Sequence, residues 1–244
     1  MAPESWRLLN TWDESAEFHM GFDQAQLEAG CQTPTLRLYT WSPDALSLGY
    51  FQRKADVRDL GLATDVVRRM TGGGAIHHVN ELTFSITVAP GHSLYRGPVG
   101  PSYTRVHGAI ARALSEVNVD ARLRGESEAS SDRNDTGMCF HESTALDLIW
   151  NGRKGVGSAQ RRKATGILHH GSIKLAPSAL ESGVATVSDN GRAPGPQEFA
   201  PILCRAFEDE LDIQLSPSRA LDQELAAASR LGPHFSSLEM LERR

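Results

Sequence analysis

The 244-residue chain carries 25 Lys and Arg against 30 Asp and Glu, a net charge of −5, with 40% hydrophobic and 23% charged residues. That is the composition of a globular protein long enough to bury a full-sized core, and it excludes disordered and fibrous classes. The acidic balance gives no overall attraction to nucleic acid or an anionic membrane, no apolar run approaches the roughly 18 residues of a span, and the acid-bearing amino terminus lacks the pattern of a secretory signal, so a cytoplasmic location is expected.

Residues 14–29 place Phe18, Phe22, Ala25 and Leu27 at roughly helical spacing and predict an amphipathic helix. "TLRLYTW" and "ALSLGYF" follow as two strands joined by a turn at Pro43 and Asp44, and "ATDVVRR" as a third. "ELTFSITVA" is a fourth strand, so the glycine run of "RRMTGGGAIHH" (68–78) lies in a strand-to-strand loop. A dinucleotide or phosphate loop should open a helix, so those readings are set aside. Three consecutive glycines carry an entropic cost that a structural turn would avoid with one, and they point to a ligand lying against the backbone.

"YTRVHGAIARALSEVNV" predicts a second helix, with Val106, Ile110, Ala113, Leu114 and Val117 on one face. A long polar loop, "RGESEASSDRNDTG", comes next, then strands at "ALDLIW" and "ATGILHHGSIKLA" with "NGRKGVGSAQRRK" between them. Asn151 and Gly152 read as a hairpin-like turn, and Gly155 and Gly157 leave backbone that a ligand can approach. Lys154 among these glycines can donate to a carbonyl, carboxylate or phosphate and favour a thiolate, although taken alone it also fits a solvated turn lysine. Residues 182–198, rich in Gly, Pro, Ser and Ala, read as a mobile surface segment, either a lid or a tolerated insertion. The tail is mostly helical, with candidates at 201–215 and 221–232. The irregular order of strands and helices indicates an α+β fold in one domain, 1–244, with 199–244 a small helical extension.

Cys31, Cys139 and Cys204 are too few and too scattered for a disulfide framework or a zinc site, and no metal is expected. Cys31 and Cys204 read as small buried hydrophobes. Arg153, Lys154, Arg161, Arg162 and Lys163 form a dense basic run for an acidic protein. They fit either a solvated face or a docking surface, of which Arg161, Arg162 and Lys163 would be part.

Together, "RRMTGGGAIHHVNELTFSI" and "CFHESTALDLIWNGRKGVGSAQRRKATGILHHGSIKL" resemble the lipoate-protein ligase A and octanoyltransferase family, whose catalytic fold is shared with biotin protein ligases. The resemblance spans residues 6 to about 175. It implies a mixed, largely antiparallel sheet flanked by helices and a tunnel for an eight-carbon acyl chain, with the glycine loop along the acyl group. Arg69, Gly72, Gly73, Gly74, Ala75 and His78, then Gly157, Ser158, Ala159, Gln160, His170 and Gly171, become the implied substrate-binding residues. Whether His77 or His78 faces the ligand is open, and Val79 stands where many members carry aspartate.

Cys139, 15 residues before Lys154, matches the nucleophile of the LipM-type octanoyltransferase branch, and Lys154 is its implied catalytic partner. The free thiol titrates near 8.5, so a neighbouring ammonium would raise the reactive fraction. The implied reaction moves an octanoyl group from acyl carrier protein to a lysine of lipoyl domains, or of a glycine cleavage H-type protein, through a cysteine thioester and without a cofactor. An ATP- and Mg-dependent lipoate-protein ligase, with or without a partner protein, is the alternative; a non-catalytic protein that binds acylated or lipoylated partners is another. The family suggests a monomer.

Overall fold

The computed structural model describes residues 2–30 and 33–243, so Cys31 lies outside the described residues. In chain order the elements are β1 (Glu4–Glu14), α1 (Ala16–Glu28), β2 (Thr35–Trp41), β3 (Ala45–Leu48), β4 (Asp65–Arg68), β5 (Ile76–His78), β6 (Glu81–Val88), α2 (Val99–Ser115), β7 (Arg122–Leu123), β8 (Leu148–Trp150), β9 (Arg153–Arg162), β10 (Ile167–Lys174), α3 (Pro196–Leu211), β11 (Ile213–Pro217), α4 (Asp222–Leu231) and α5 (Leu238–Leu241). The fold is the expected α+β class. One eight-stranded sheet runs β11-β1-β2-β6-β10-β9-β8-β7, and a three-stranded sheet runs β4-β3-β5. Pairing is antiparallel from β2 through β7, while β11–β1–β2 and β3–β4 are parallel.

Strand β6 shows how the sheet separates its two layers. Leu82, Phe84, Ile86 and Val88 join the main apolar core with Val106, Ile110 and Leu114 of α2 and Phe199, Leu203 and Phe207 of α3. The alternate residues Thr83, Ser85 and Thr87 are buried too. Two of them meet polar partners: Ser85 accepts from Arg37 at 3.4 Å, and Thr87 donates to Gln26 of α1 at 3.4 Å. A period-two strand thus presents one oily face and one hydrogen-bonding face. Helix α1 starts where Ser15 Oγ accepts from the Phe18 amide at 3.2 Å.

Several expectations are corrected. The two strands and intervening turn expected across 35–51 are present, with the second ending at Leu48, but they do not pair with each other, because β2 enters the large sheet and β3 the small one. Strand β1, not anticipated, pairs in parallel with β2 on one side and with β11 on the other. The tail is therefore not purely helical: α3 stops at Leu211, where Asp212 turns left-handed (φ 55°), and β11 extends the main sheet. Nor does 182–198 behave as a loose lid throughout. Val184, Ala185 and Val187 are buried, and the Ala185 amide donates to the Lys154 carbonyl at 2.8 Å, because these small apolar side chains complete the core beside β9.

Candidate active site

Strand β9 and the turn at Asn151–Gly152 place the lysine. Both turn residues have positive φ (51° and 71°), the type I′ geometry that suits a two-residue hairpin. The register then sets Lys154 opposite Ile149 of β8. Its side chain is buried, 2% exposed, and its Nζ donates to the carbonyls of Cys139 (2.8 Å) and Glu142 (2.9 Å) and pairs with the Asp147 carboxylate at 3.0 Å. The Cys139 sulfur lies 3.6 Å from the same nitrogen. Burial alone would lower the Lys154 pKa, but the charges of Cys139 and Asp147 outweigh it and hold it above the usual lysine value, so this side chain is an ammonium. The expected Cys139–Lys154 pair is thus brought together in space.

Cys139 opens a single 3-10 turn, Cys139–His141, anchored to the strand that leaves the glycine loop. The Cys139 amide donates to the Ala75 carbonyl at 2.7 Å, and the Ala75 amide to the Gly137 carbonyl at 2.8 Å. Ala75, expected to touch substrate, is instead the backbone anchor of the cysteine turn and is absent from the lining of the cavity.

The glycine loop answers to protein contacts as well as to any ligand. A Cβ on Gly74 would sit 2.8 Å from the Cys139 amide nitrogen and the Gly137 carbonyl, and Gly73 adopts φ +96° with its would-be Cβ 2.9 Å from Arg69. Gly72 has room: its Cβ would meet only Phe51, at 3.9 Å. Arg69, expected as a substrate contact, has its donors engaged by the backbone. Its Nη2 donates to the carbonyls of Gly72 (2.8 Å) and Gly74 (2.7 Å), and its Nη1 to that of Ser47 (2.8 Å). Arg68 does the same for Gly49, Met240 and Leu241. Arg69 thus clamps the glycine loop, while Arg68 ties residues 49–52 to the carboxyl-terminal turn of the chain.

His78, not His77, faces the cavity. It stacks on Trp41 with ring centroids 3.8 Å apart, and its Nδ1 meets Glu81 at 2.6 Å, so Nδ1 carries the proton and Nε2 accepts from Ser47 at 2.7 Å. Burial pushes its pKa down to about 4, and the nearby Glu81 only partly opposes this. Glu81 is held ionised well below the usual carboxylate range: burial would raise it, but Lys174 at 2.6 Å and His78 more than compensate. His77 turns away to Ser178 (2.7 Å) and Asp44 (3.1 Å). His170 also lines the cavity, with Thr71 at 2.7 Å and Asp23 at 3.0 Å, whereas His169 is fully buried against Ser158 and Tyr95.

The β9–β10 ladder completes the assembly by pairing His170 with Ala159, Gly171 with Ser158 and Ser172 with Gly157. A cavity of about 590 Å³, within the roughly 300–1,000 Å³ typical of small-molecule sites, is enclosed by Cys139, Lys154, the three glycines, Arg69, His78, Gly157, Ser158, Ala159, Gln160, His170 and Gly171. Met20, Tyr39, Trp41, Ile76, Val99 and Leu146 supply apolar walls that sequence reasoning missed. Asp147 was missed too, though the Asn-Gly turn held a signal: counting back across the hairpin from Lys154 brings Asp147 just ahead of β8. Gly155 is not a ligand contact, since a Cβ there would strike the Trp150 ring at 1.9 Å.

Cys204 keeps its bland reading, for burial pushes its thiol up to about 12. The basic run does not form one patch. Lys154 is buried, Arg153 pairs with Asp189 at 2.7 Å, and Arg161–Lys163 lie at the other end of β9, about 30 Å along the strand. There Arg161 and Arg243 both lie over the Tyr50 ring, 5.2 and 4.4 Å from its centroid. Neighbouring Phe51 is 76% exposed.

The family model described as the lipoyl protein ligase A/B catalytic domain matches residues 15–208. The chain is similar to an octanoyltransferase LipM of Moorella thermoacetica, 38% identical over 72% of this chain and 67% of that protein, and to one of Kyrpidia tusciae, 33% identical over 93% and 95%. Its fold is similar to that of a chain from a structural analysis of an archaeal lipoylation system, described as a bi-partite lipoate protein ligase and its E2 lipoyl domain from Thermoplasma acidophilum, with a TM-score of 0.75, 22% identity and coverage of 99% and 98%.

Proposed function

This chain belongs to the lipoyl protein ligase A/B catalytic domain family, and from that premise we propose that its cavity transfers octanoyl groups from acyl carrier protein to a lysine of a lipoyl domain through a thioester on Cys139. The observation that carries this reading is a half-buried cysteine whose sulfur sits 3.6 Å from a lysine ammonium at the wall of a largely apolar cavity. Ligand-free ammonium chemistry alone would not need the cysteine, and an acyl-binding cavity alone would not need the lysine.

In the first half-reaction the Cys139 thiolate attacks the octanoyl thioester carbonyl, and the carrier's thiol leaves. The chain itself holds the cysteine in place: Lys154 ties both ends of its turn, and Ala75 fixes its amide. The eight-carbon chain lies against the apolar walls formed by Met20, Tyr39, Trp41 and Ile76. In the second half-reaction the acceptor's ε-amine attacks the Cys139 thioester and the product is an amide. Thioester exchange is near thermoneutral and amide formation is downhill, so the reaction as written needs no ATP. Among the described residues no helix is long and apolar enough to cross a membrane, and we place the reaction in the cytoplasm. The guanidiniums of Arg161 and Arg243 beside exposed Phe51 offer the acidic carrier a docking point next to the glycine loop.

The test is intact mass after mixing with octanoyl-acyl carrier protein in the absence of ATP, alongside Cys139→Ala. One octanoyl adduct on the native protein and none on the variant is expected. No adduct, with lipoyl-domain modification only when ATP and free acid are supplied, would instead identify a ligase in which Cys139 is a bystander.

A further inference from the structure

We propose that Glu142 is the catalytic carboxylate of the second half-reaction: it receives the acceptor lysine's ε-ammonium at the mouth of a second cavity and takes its proton. This rests on the thioester reading above and names the part of the site that handles the amine. A second, more open cavity of about 550 Å³ adjoins the first, and the two share Gly73, Gly74 and Glu142. Their walls differ in chemistry. The first holds Cys139 among apolar side chains, while the second is lined by Gln52, Asp56, Asn134 and Asp135, with Phe51 at its edge. The junction thus lies between a compartment suited to an alkyl chain and one suited to a cation.

Glu142 is the carboxylate at that junction left available for a substrate. Asp56 is held by Arg53 at 2.7 Å and Asp135 by Arg58 at 3.1 Å. Glu142, by contrast, is exposed, and its carboxylate has no ion pair or hydrogen bond among the described residues. Its backbone is nevertheless fixed with respect to the nucleophile. The Glu142 amide donates to the Cys139 carbonyl at 3.2 Å, and its own carbonyl accepts from Lys154 at 2.9 Å.

The reaction requires such a group. A lysine amine titrates near 10.4, so the acceptor arrives as an ammonium and must lose a proton before it can attack. Lys154 is occupied by the Cys139 and Glu142 carbonyls and by Asp147, and Asp147 is held in turn by Lys154 and by the Thr144 amide at 2.7 Å, which leaves neither aimed at an incoming amine. With Glu142 as base, the first proton passes from nitrogen to the carboxylate. The C–N bond then forms, and the C–S bond breaks with its electron pair going to the Cys139 sulfur. The nitrogen's second surplus proton goes to that departing thiolate or to solvent.

The experiment starts from isolated octanoyl-Cys139 enzyme, native and Glu142→Gln, made with octanoyl-acyl carrier protein. Loss of the adduct is followed by intact mass in a single turnover with a lipoyl domain and, separately, with hydroxylamine, an amine that is already neutral at neutral pH. Glu142→Gln should transfer to the lipoyl domain about 10²-fold more slowly while reacting with hydroxylamine at the native rate, and Glu142→Asp should fall between. Equal rates with the lipoyl domain overturn the proposal. So does equal slowing with both nucleophiles, which means that the turn has merely shifted. If neither protein forms the adduct, the thioester reading fails and this assignment falls with it.

Discussion

The Nζ of Lys154 holds both ends of the Cys139–Glu142 turn through their carbonyls while lying 3.6 Å from the sulfur between them. One side chain thereby sets the position of the proposed nucleophile and places a positive charge beside it. Because the nitrogen is also paired with buried Asp147 at 3.0 Å, the proposed chemistry and the stability of the fold converge on it.

Lys154→Met should abolish most acyl transfer, by about 10²-fold or more, as expected for loss of a positioned cationic donor. It should also destabilise the fold by about 3–5 kcal/mol, since Asp147 is left buried without its partner. Adding Asp147→Leu should recover about half of that stability and none of the activity. Chemical denaturation and single-turnover acylation on the two variants separate the roles; activity returning with stability would show that the lysine only props up the turn.

The glycine triplet predicts unequal tolerance. Gly74→Ala drives a methyl to 2.8 Å from the Cys139 amide and should cost about 1–3 kcal/mol and displace the nucleophile, and Gly73→Ala is strained at φ +96°. Gly72→Ala, with only Phe51 within 4 Å, should leave the melting temperature within a few degrees of native. Thermal melts of the three variants check the order, and a Gly72 variant as unstable as Gly74's would contradict it.

Acid should weaken the fold in two stages. His78 and His107 titrate near 4 in the fold, chiefly because burial disfavours their charged form, against about 6.5 unfolded. Between those values the unfolded chain holds protons that the fold does not, so stability falls as pH drops from about 6.5 to 4, by about 1.4 kcal/mol per pH unit for each histidine. Asp23 acts lower down. Burial would raise its pKa, but Arg37 at 2.7 Å and His170 bring it to about 2, so its contribution is complete above about 3.9 and disappears as pH falls toward 2. Denaturant midpoints from pH 7 to 5 should fall, and because burial depresses His19 and His169 in the same direction, His107→Gln should remove only about a quarter of the slope; a flat profile would refute the assignment.

Reversing Arg161 and Arg243 to Glu should raise the KM for octanoyl-acyl carrier protein about tenfold at low salt, with the effect shrinking as salt rises and kcat preserved. Arg162 is a poorer choice, because its guanidinium braces the Gly97 carbonyl at 2.7 Å and Gln160. Steady-state kinetics across a salt series decide; an unchanged KM removes this surface from the docking site.

The sequence was most legible where pattern and tertiary role agree. Strand β6 alternates apolar and polar residues as its two faces do, helix α2 repeats as its burial does, and the Asn151–Gly152 turn declares its own geometry. Strand β9 was not seen as a strand because "RKGVGSAQRR" holds two glycines and four basic residues, all poor strand formers when judged singly. Its neighbours on both sides supply the pairing that propensity does not. In the site, Cys139 and Lys154 stood out through the family resemblance, and the choice between His77 and His78 stayed open until the structure turned His78 to the cavity. Tyr39, Trp41 and Thr83 carry no such mark, since any strand may hold an aromatic or a threonine and only the packing of α1 and the small sheet against the large one turns them toward the cavity.

The bridge between Ala75 and Met138, flanked by the two hydrogen bonds at 2.7 and 2.8 Å, joins parts of the chain more than sixty residues apart. Closing so long a segment has an entropic cost met only after local structure on either side has formed, so this link belongs to the late steps of folding. Until it closes, the thiol has neither its lysine nor its glycine cradle. A nascent or partly unfolded molecule in which this link is open therefore exposes Cys139 without the surroundings that the proposed acyl transfer requires.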